Sequence, residues 1–276
     1  MLPSIPSGAR TLAVCVPFAF SGALAVHEAG AAGFQPHRAV YDLTLQSAET
    51  QSGISALAGK MVFEVQGSVC EGYSVEFRLI TEITATNGAV RLTDVRTSSF
   101  EAGNGQDFQF LSKTFLDQKL SQESRGKATR SEEILEVELT EPSKRTVTFG
   151  KDVLFPSQHF FEIIRLAEAG ENFYNVGVYD GSEGGDTFFE TATVIGKPRD
   201  LTVGNEALAP RNLRHWPVVI SYYDTRTTRA DSMPIYTLSF MTNAPGISRD
   251  IKMDYNSFVI KGDLADLEFF NSEDCP

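Results

Sequence analysis

Four histidines and three cysteines are the side chains of this 276-residue chain best suited by type to catalysis, metal binding or redox chemistry. The histidines, His27, His37, His159 and His215, are scattered along the sequence. None stands in a His-x-x-x-His pair, or beside a cysteine at the spacing that brings two ligands to one metal. His159 falls at the start of a predicted helix. Its ring either faces a cavity or is a satisfied structural histidine, and the second reading is preferred. His215 precedes Trp216-Pro217, a setting for packing or a turn. A hydrolase built on His159 or His215 is the weakest functional reading, because it needs a nucleophile or carboxylate within reach of the ring. There is no Gly-x-Ser-x-Gly elbow, phosphate-binding loop or dinucleotide glycine fingerprint. The run Asp180-Gly181-Ser182-Glu183-Gly184-Gly185-Asp186 superficially resembles a calcium loop. It lacks the alternating oxygen ligands and the terminal bidentate Glu, so it reads as an acidic hairpin loop. Acidic composition guarantees paired carboxylates, and their number identifies no glycosidase dyad. No catalytic residue, metal or cofactor is expected.

The cysteines depend on compartment. From Thr11 to Val26 the chain is uncharged and mostly apolar, short of the roughly 20 residues a membrane-spanning helix needs. It ends in Ala23-Leu24-Ala25, the small-x-small pattern of a signal-peptidase site, with a second option at Ala29–Ala32. Residues 1–25, or alternatively 1–32, read as a cleaved secretory leader. An N-terminal anchor helix is disfavoured because no stop-transfer charge cluster follows. Leu12-Ala13-Val14-Cys15 is similar to a lipobox, but Val14 is larger than the small residue expected before a lipidated cysteine and Arg10 stands close by. Cys15 is therefore read as an apolar residue of the leader. That leaves Cys70 and Cys275, an even number in an exported chain, for which a disulfide is the default. It would close a loop of roughly 200 residues and constrain the unfolded state by about 5 kcal/mol in the chain-entropy account. A redox pair is the weaker alternative, since no Cys-x-x-Cys occurs.

The elements that must position these residues are mostly strands. Tyr73, Val75, Phe77, Leu79, Thr81 and Ile83 alternate with Ser74, Glu76, Arg78, Ile80 and Glu82, the period of a half-buried strand. Asn87-Gly88 follows as a hairpin signal of the type I′ kind, with Val90 and Leu92 opening the return strand. Similar alternation marks Tyr41/Leu43/Leu45, Met61/Phe63/Val65, Phe108/Phe110, Leu135/Val137/Leu139 and Val147/Phe149. Further runs span Phe173–Tyr179, Thr187–Ile195, Trp216–Tyr222, Ile235–Met241, Ile251–Tyr255 and Phe258–Ile260. The charged stretch Lys119–Glu138 and the polar segment Asp224–Asp231 read as solvated strands or loops. One helix interrupts the pattern over residues 157–169: Phe160, Ile163, Ile164 and Ala167 follow i, i+3, i+4, i+7. Pro156 and Ser157 precede it and Gly170 ends it, while Phe161 and Leu166 widen the stripe. The fold class is all-β: a single-domain antiparallel sheet, curled or barrel-like, of many short strands around one buried helix.

Composition agrees. Hydrophobic residues make up 42% and charged residues 22%, which excludes a disordered tail and a polytopic membrane protein. With 36 Asp+Glu against 24 Lys+Arg, the net charge of −12 argues against nucleic acid, and weakly against anionic membrane surfaces. Twenty Phe, eight Tyr and 22 Gly fit aromatic-rich strands joined by tight turns.

Several segments together carry a resemblance. They are Gly72-Tyr73-Ser74-Val75 after Cys70, Leu154-Phe155-Pro156-Ser157-Gln158-His159 before the helix, and Val178-Tyr179-Asp180-Gly181-Ser182. To these add Met253-Asp254-Tyr255-Asn256-Ser257-Phe258 and Glu273-Asp274-Cys275. As a set they resemble the EipB family, periplasmic cell-envelope integrity proteins of alphaproteobacteria long known only as a domain of unknown function. The likeness spans about residues 34–276. It implies a β-spiral domain over 34–276 held by one disulfide, Cys70 to Cys275, in the periplasm, and a role in maintaining the envelope under stress with no established catalytic residues; a monomer is expected. Its outline is similar to periplasmic carriers of lipids and lipoproteins, an analogy at the level of fold. The partner expected is a periplasmic protein or an envelope lipid or lipoprotein. Two uses follow: non-catalytic contact with such a partner, or carriage of an acyl chain or lipidated peptide in an aromatic-lined interior.

Overall fold

Short runs of β-branched and aromatic residues, punctuated by Gly, Asn and Asp, fold as successive antiparallel strands. The computed structural model describes residues 33–200, 214–226 and 233–271. The expected leader with Cys15, and the expected disulfide partner Cys275, lie outside the described residues.

The first eight strands form a meander: β1 (His37–Ala48), β2 (Ile54–Ser68), β3 (Gly72–Ala85), β4 (Val90–Glu101), β5 (Asp107–Leu116), β6 (Lys119–Arg130), β7 (Ile134–Glu141) and β8 (Arg145–Gly150). Helix α1 (Pro156–Ala169) then crosses to β9 (Phe173–Val178), followed by β10 (Phe189–Ile195) and the two-residue β11 (Arg199–Asp200). The last four strands are β12 (Arg214–Asp224), β13 (Tyr236–Asn243), β14 (Ser248–Asp254) and β15 (Phe258–Phe269). All belong to one antiparallel sheet in the order β8-β7-β6-β5-β4-β3-β2-β1-β15-β14-β13-β12-β10-β9, with β11 paired to β12. The sheet is curled and unclosed, and α1 is its single helix among the described residues.

The step that curls the sheet is β15 pairing with β1, from His37–Phe269 to Ala48–Phe258 with register shifts after Val40 and Leu45. Strands β8 and β9, consecutive in sequence, thereby become the two opposite edges. Leu154, just after β8, donates its N–H to the Gly177 carbonyl and accepts from the Tyr179 N–H, at 2.8 and 2.9 Å. A single bridge from Leu154 to Val178 thus ties the chain beyond β8 to the β9 edge, covering a few of its backbone groups.

Alternation decides which face is covered. In β1, His37, Ala39, Tyr41 and Leu43 are buried while Arg38, Asp42 and Thr44 are exposed. Helix α1 turns Ile163 and Ala167 into the same cluster as Ala39, Tyr41, Leu43, Trp216, Val218 and Ile251. A 14-residue helix is marginal alone in water, so this packing is what holds it. A second cluster, around Phe108, Phe110, Leu135, Val137, Phe155 and Tyr179, fills the lobe under β5–β8.

One expectation changes in detail, and two segments gain structure beyond what the sequence predicts. The Asn87-Gly88 hairpin forms, but only Gly88 has positive φ (84°), and the Gly88 N–H donates to the Ala85 carbonyl. This is a type I turn with a glycine bulge, not type I′, because three residues rather than two link the ladder. The acidic run 180–186 connects two adjacent strands as a hairpin loop, and it packs against the β5–β8 wall. Ser124 Oγ donates to the Gly181 carbonyl at 2.6 Å, Tyr179 OH to the Gly185 carbonyl at 2.9 Å, and Arg145 pairs with Asp186 at 2.8 Å. The charged stretch after Lys119 holds two ladder strands whose buried positions are partly small: a Cβ on Gly126 would stand 2.9 Å from the Phe110 ring. Aromatic bulk supplied by β5 replaces the apolar alternation that β6 lacks.

Candidate functional site

The helix sets the geometry, and a buried carboxylate sets the helix. Phe155, the residue before α1, has no capping side chain. Glu101, at the end of β4 and 5% exposed, fills that role from a distant strand. Its two oxygens accept the N–H groups of Ser157 and Gln158 at 2.9 and 3.0 Å, two of the donors that a helix start leaves orphaned. Gln158 in turn accepts from the Phe155 N–H and from Arg130 Nη2, while the Arg130 guanidinium lies 4.8 Å over the Phe155 ring. Burial pushes the Glu101 carboxyl above its ordinary range, against the pull of those amides.

The strand ends nearest this clamp are closed. His37, Val65, Tyr73 and Phe108 are buried there, and Phe34 packs at 4.7–5.4 Å on Tyr73, Phe160 and Phe161. At the opposite ends of the same strands the covered face stays half-buried, at Leu45, Leu79, Ile83, Tyr222, Tyr236, Leu238, Tyr255 and Phe258. This is the mouth of the spiral.

A row of rings lines it. Adjacent strands point their side chains to one side, so Tyr222 of β12 stacks on Tyr236 of β13 at 4.4 Å and 13°. Tyr236 stacks on Tyr255 at 6.0 Å, and Tyr255 on Phe258 at 5.1 Å and 17°, while Phe189 of β10 meets Tyr222 edge-on at 6.1 Å. Burial raises the pKa of both Tyr222 and Tyr236, with the nearby Asp180 carboxylate adding to it, so both phenols stay neutral. Asp180 is itself pushed up by desolvation, and its Oδ1 accepts the Ser182 N–H at 2.8 Å. Further along the sheet, half-buried hydroxyls of Thr97 on β4 and Ser112 on β5 bond at 3.2 Å. The ring row takes apolar area along the rings and hydrogen bonds at the hydroxyl tips.

The histidines lie elsewhere. His159 is buried in the first turn of α1, with Nε2 3.5 Å from Thr191 Oγ1 and its ring 6.1 Å from Tyr174. Desolvation pushes its pKa down to about 4, so it is neutral at physiological pH. His215, also buried, starts β12 with Nε2 3.3 Å from Asn243 Nδ2, and Asn243 Oδ1 accepts the Ile247 N–H. The two rings thus serve different strand joins, β10 and β13. Among the described residues, no group of three or more His, Cys, Asp or Glu is placed to hold a metal, and no helix is long and apolar enough to cross a membrane. Cys70, in the β2–β3 turn, is disulfide-bonded. Sequence reasoning missed Glu101 as a helix clamp, since nothing at residue 101 announces a helix that begins more than fifty residues later. It expected aromatic residues inside, but the order of rings depends on a register that only the paired strands provide.

Comparison with known proteins follows this geometry. The EipB-like family profile matches residues 28–271. A relative, cell envelope integrity protein EipB of Brucella abortus (strain 2308), is 39% identical over 255 residues, which covers 92% of this chain and 90% of that protein. A crystal structure of a β-barrel-like protein of domain of unknown function DUF1849, also from Brucella abortus, superposes with a TM-score of 0.83 at 39% identity. It covers 87% of this chain and 100% of the other.

Proposed function

The chain belongs to the EipB-like family, and from that premise we propose that it supports cell-envelope integrity in the periplasm by non-catalytic contact. The contact is with a periplasmic protein or an envelope lipid or lipoprotein. The observation that carries this reading is the half-buried Tyr222–Tyr236–Tyr255–Phe258 row at the mouth, an apolar surface with hydroxyl tips that packs against the core on one side and stays partly open on the other. In this reading residues 1–25, or 1–32, are removed on export, residues 34–276 act as one β-spiral domain and as a monomer, and Cys70 pairs with Cys275. The disulfide at Cys70 supports that pairing, because Cys15 falls in the segment read as the leader.

A second use of the same surface is carriage of an acyl chain or lipidated peptide. The ring row favours it, since consecutive stacked aromatics give an extended ligand a continuous apolar track. Complementation tests the contact reading. A strain lacking the protein and sensitised to detergent is rescued by the wild type and by His159→Gln. It is not rescued by the folded double variant Tyr222→Ala/Tyr236→Ala. Failure of His159→Gln to rescue, with its melting temperature intact, would return the protein to the hydrolases.

A further inference from the structure

Arg249 is a buried cation that forms no ion pair among the described residues, the adjacent Asp250 carboxylate acting on it only at longer range. It stands beside a bulge in β14, where the register against β13 shifts between Ser239 and Met241. The bulge holds Asp250 at φ 50°, a conformation that non-glycine residues rarely adopt. Bulges of this kind re-aim a neighbouring side chain and gather beside functional sites. Arg249 is 7% exposed, and its Nε and Nη2 have no hydrogen-bond partner among the described residues. These two nitrogens form one edge of the guanidinium, the two-donor fork that matches a carboxylate or phosphate side-on.

The same protein shows what that edge does when satisfied. Arg78 presents Nε and Nη2 to the two oxygens of Asp94 at 3.0 and 2.9 Å, and Arg165 presents the same pair to Glu162. Arg249 cannot shed its charge, because a guanidinium stays protonated in proteins. The neighbouring Tyr41 hydroxyl is committed as donor to the Ser248 carbonyl at 2.8 Å, and the adjacent Asp250 is exposed. Ile247, Ile251 and Met241 around it are buried and apolar.

We propose that Arg249 is the anion-recognition residue of a ligand site, taking the carboxylate or phosphate head of an amphiphile side-on through Nε and Nη2. This goes beyond the contact surface at the mouth and does not depend on it.

The test uses the full chain with octanoate, octyl phosphate, octanol and inorganic phosphate as probes, read by calorimetric binding and by melting temperature. The wild type binds octanoate and octyl phosphate and melts higher in their presence, while octanol gives no such shift. Arg249→Met melts at or above the wild type without ligand, because an unpaired buried charge is replaced by an apolar side chain of similar length. It binds the two anions at least tenfold more weakly. Arg249→Lys keeps the charge but not the fork and falls between the two. Inorganic phosphate reproducing the whole shift would keep the oxyanion and overturn the amphiphile. An Arg249→Met protein that melts well below the wild type yet binds octanoate equally well would make the residue structural and overturn the assignment, as would a wild type that binds none of the three anions.

Discussion

Replacing Glu101 separates the clamp that orients α1 from the rest of the fold. The Glu101 carboxylate accepts two helix N–H groups at 2.9 and 3.0 Å in a buried setting. Hydrogen bonds to a charged group contribute about 1.5–3 kcal/mol each, and the helix start adds up to about 1 kcal/mol, offset by the cost of burying the charge. Glu101→Ala therefore costs about 3 kcal/mol net. At 2–4 °C per kcal/mol for a domain of this size, the melting temperature falls by ~6–12 °C. Glu101→Gln keeps one acceptor oxygen and loses about 1 kcal/mol at neutral pH. The pH dependence has a definite sign. The folded carboxyl holds its proton more tightly than the unfolded one, so the wild type gains stability as pH falls from the raised folded value towards the ordinary 4.5. Glu101→Gln lacks that gain, and the difference between the two proteins widens on acidification in this window. Calorimetry across pH 4–8 reads both effects. A Glu101→Ala protein within 0.5 kcal/mol of the wild type would refute the claim that this carboxylate holds the helix.

Other substitutions act on separate parts of the molecule. Reductant, or Cys70→Ser, lowers the melting temperature by ~10–20 °C from a loss of up to about 5 kcal/mol, with the far-ultraviolet circular dichroism of the strands retained; an unchanged melt would make the bond energetically idle. His159 is held neutral with its pKa near 4, so folding loses stability as pH falls from 6.5 to about 4, by about 3 kcal/mol. His159→Gln removes most of that slope, and His37, shifted the same way by burial, leaves a smaller one of the same sign; a slope that persists in full in the variant would mean other groups drive it. Tyr236→Ala removes the ring between Tyr222 and Tyr255, at about 0.5–1.5 kcal/mol per aromatic pair beyond the lost burial. Chemical denaturation measures that loss, and a stability equal to the wild type would show the stack to be incidental.

Much of the architecture is legible in the chain because its signals are local. Alternation over Tyr73–Ile83 became β3, and the Phe160/Ile163/Ile164/Ala167 stripe became the inner face of α1. Two segments fold as the solvated strand and the hairpin loop that their residues predict, but part of their packing is decided elsewhere. Strand β6 buries Ser124 and Ala128 and has Gly126 beneath the Phe110 ring of β5, so its own residues carry no hydrophobic period. The 180–186 run looks solvent-seeking by composition, yet its backbone carbonyls bond to Ser124 and Tyr179 and its acid pairs with Arg145. The site follows the same rule. Tyrosines at 222, 236 and 255 lie in recognisable strands, but their stacking requires β12 to meet β13 at Tyr222–Tyr236. Glu101 and Arg249 stand out only once a helix start and a bulge are placed beside them.

The central claim is that the ring-lined mouth makes contact with an envelope component and no chemistry occurs there. The most direct measurement is a crosslinking pull-down from the periplasm, with protein and lipid analysis of the same eluate, run side by side on the wild type and on Tyr222→Ala/Tyr236→Ala. A protein or lipid enriched with the wild type and absent from the equally folded double variant is the predicted result. Identical eluates from the two, containing the same partner in the same amount, would contradict it.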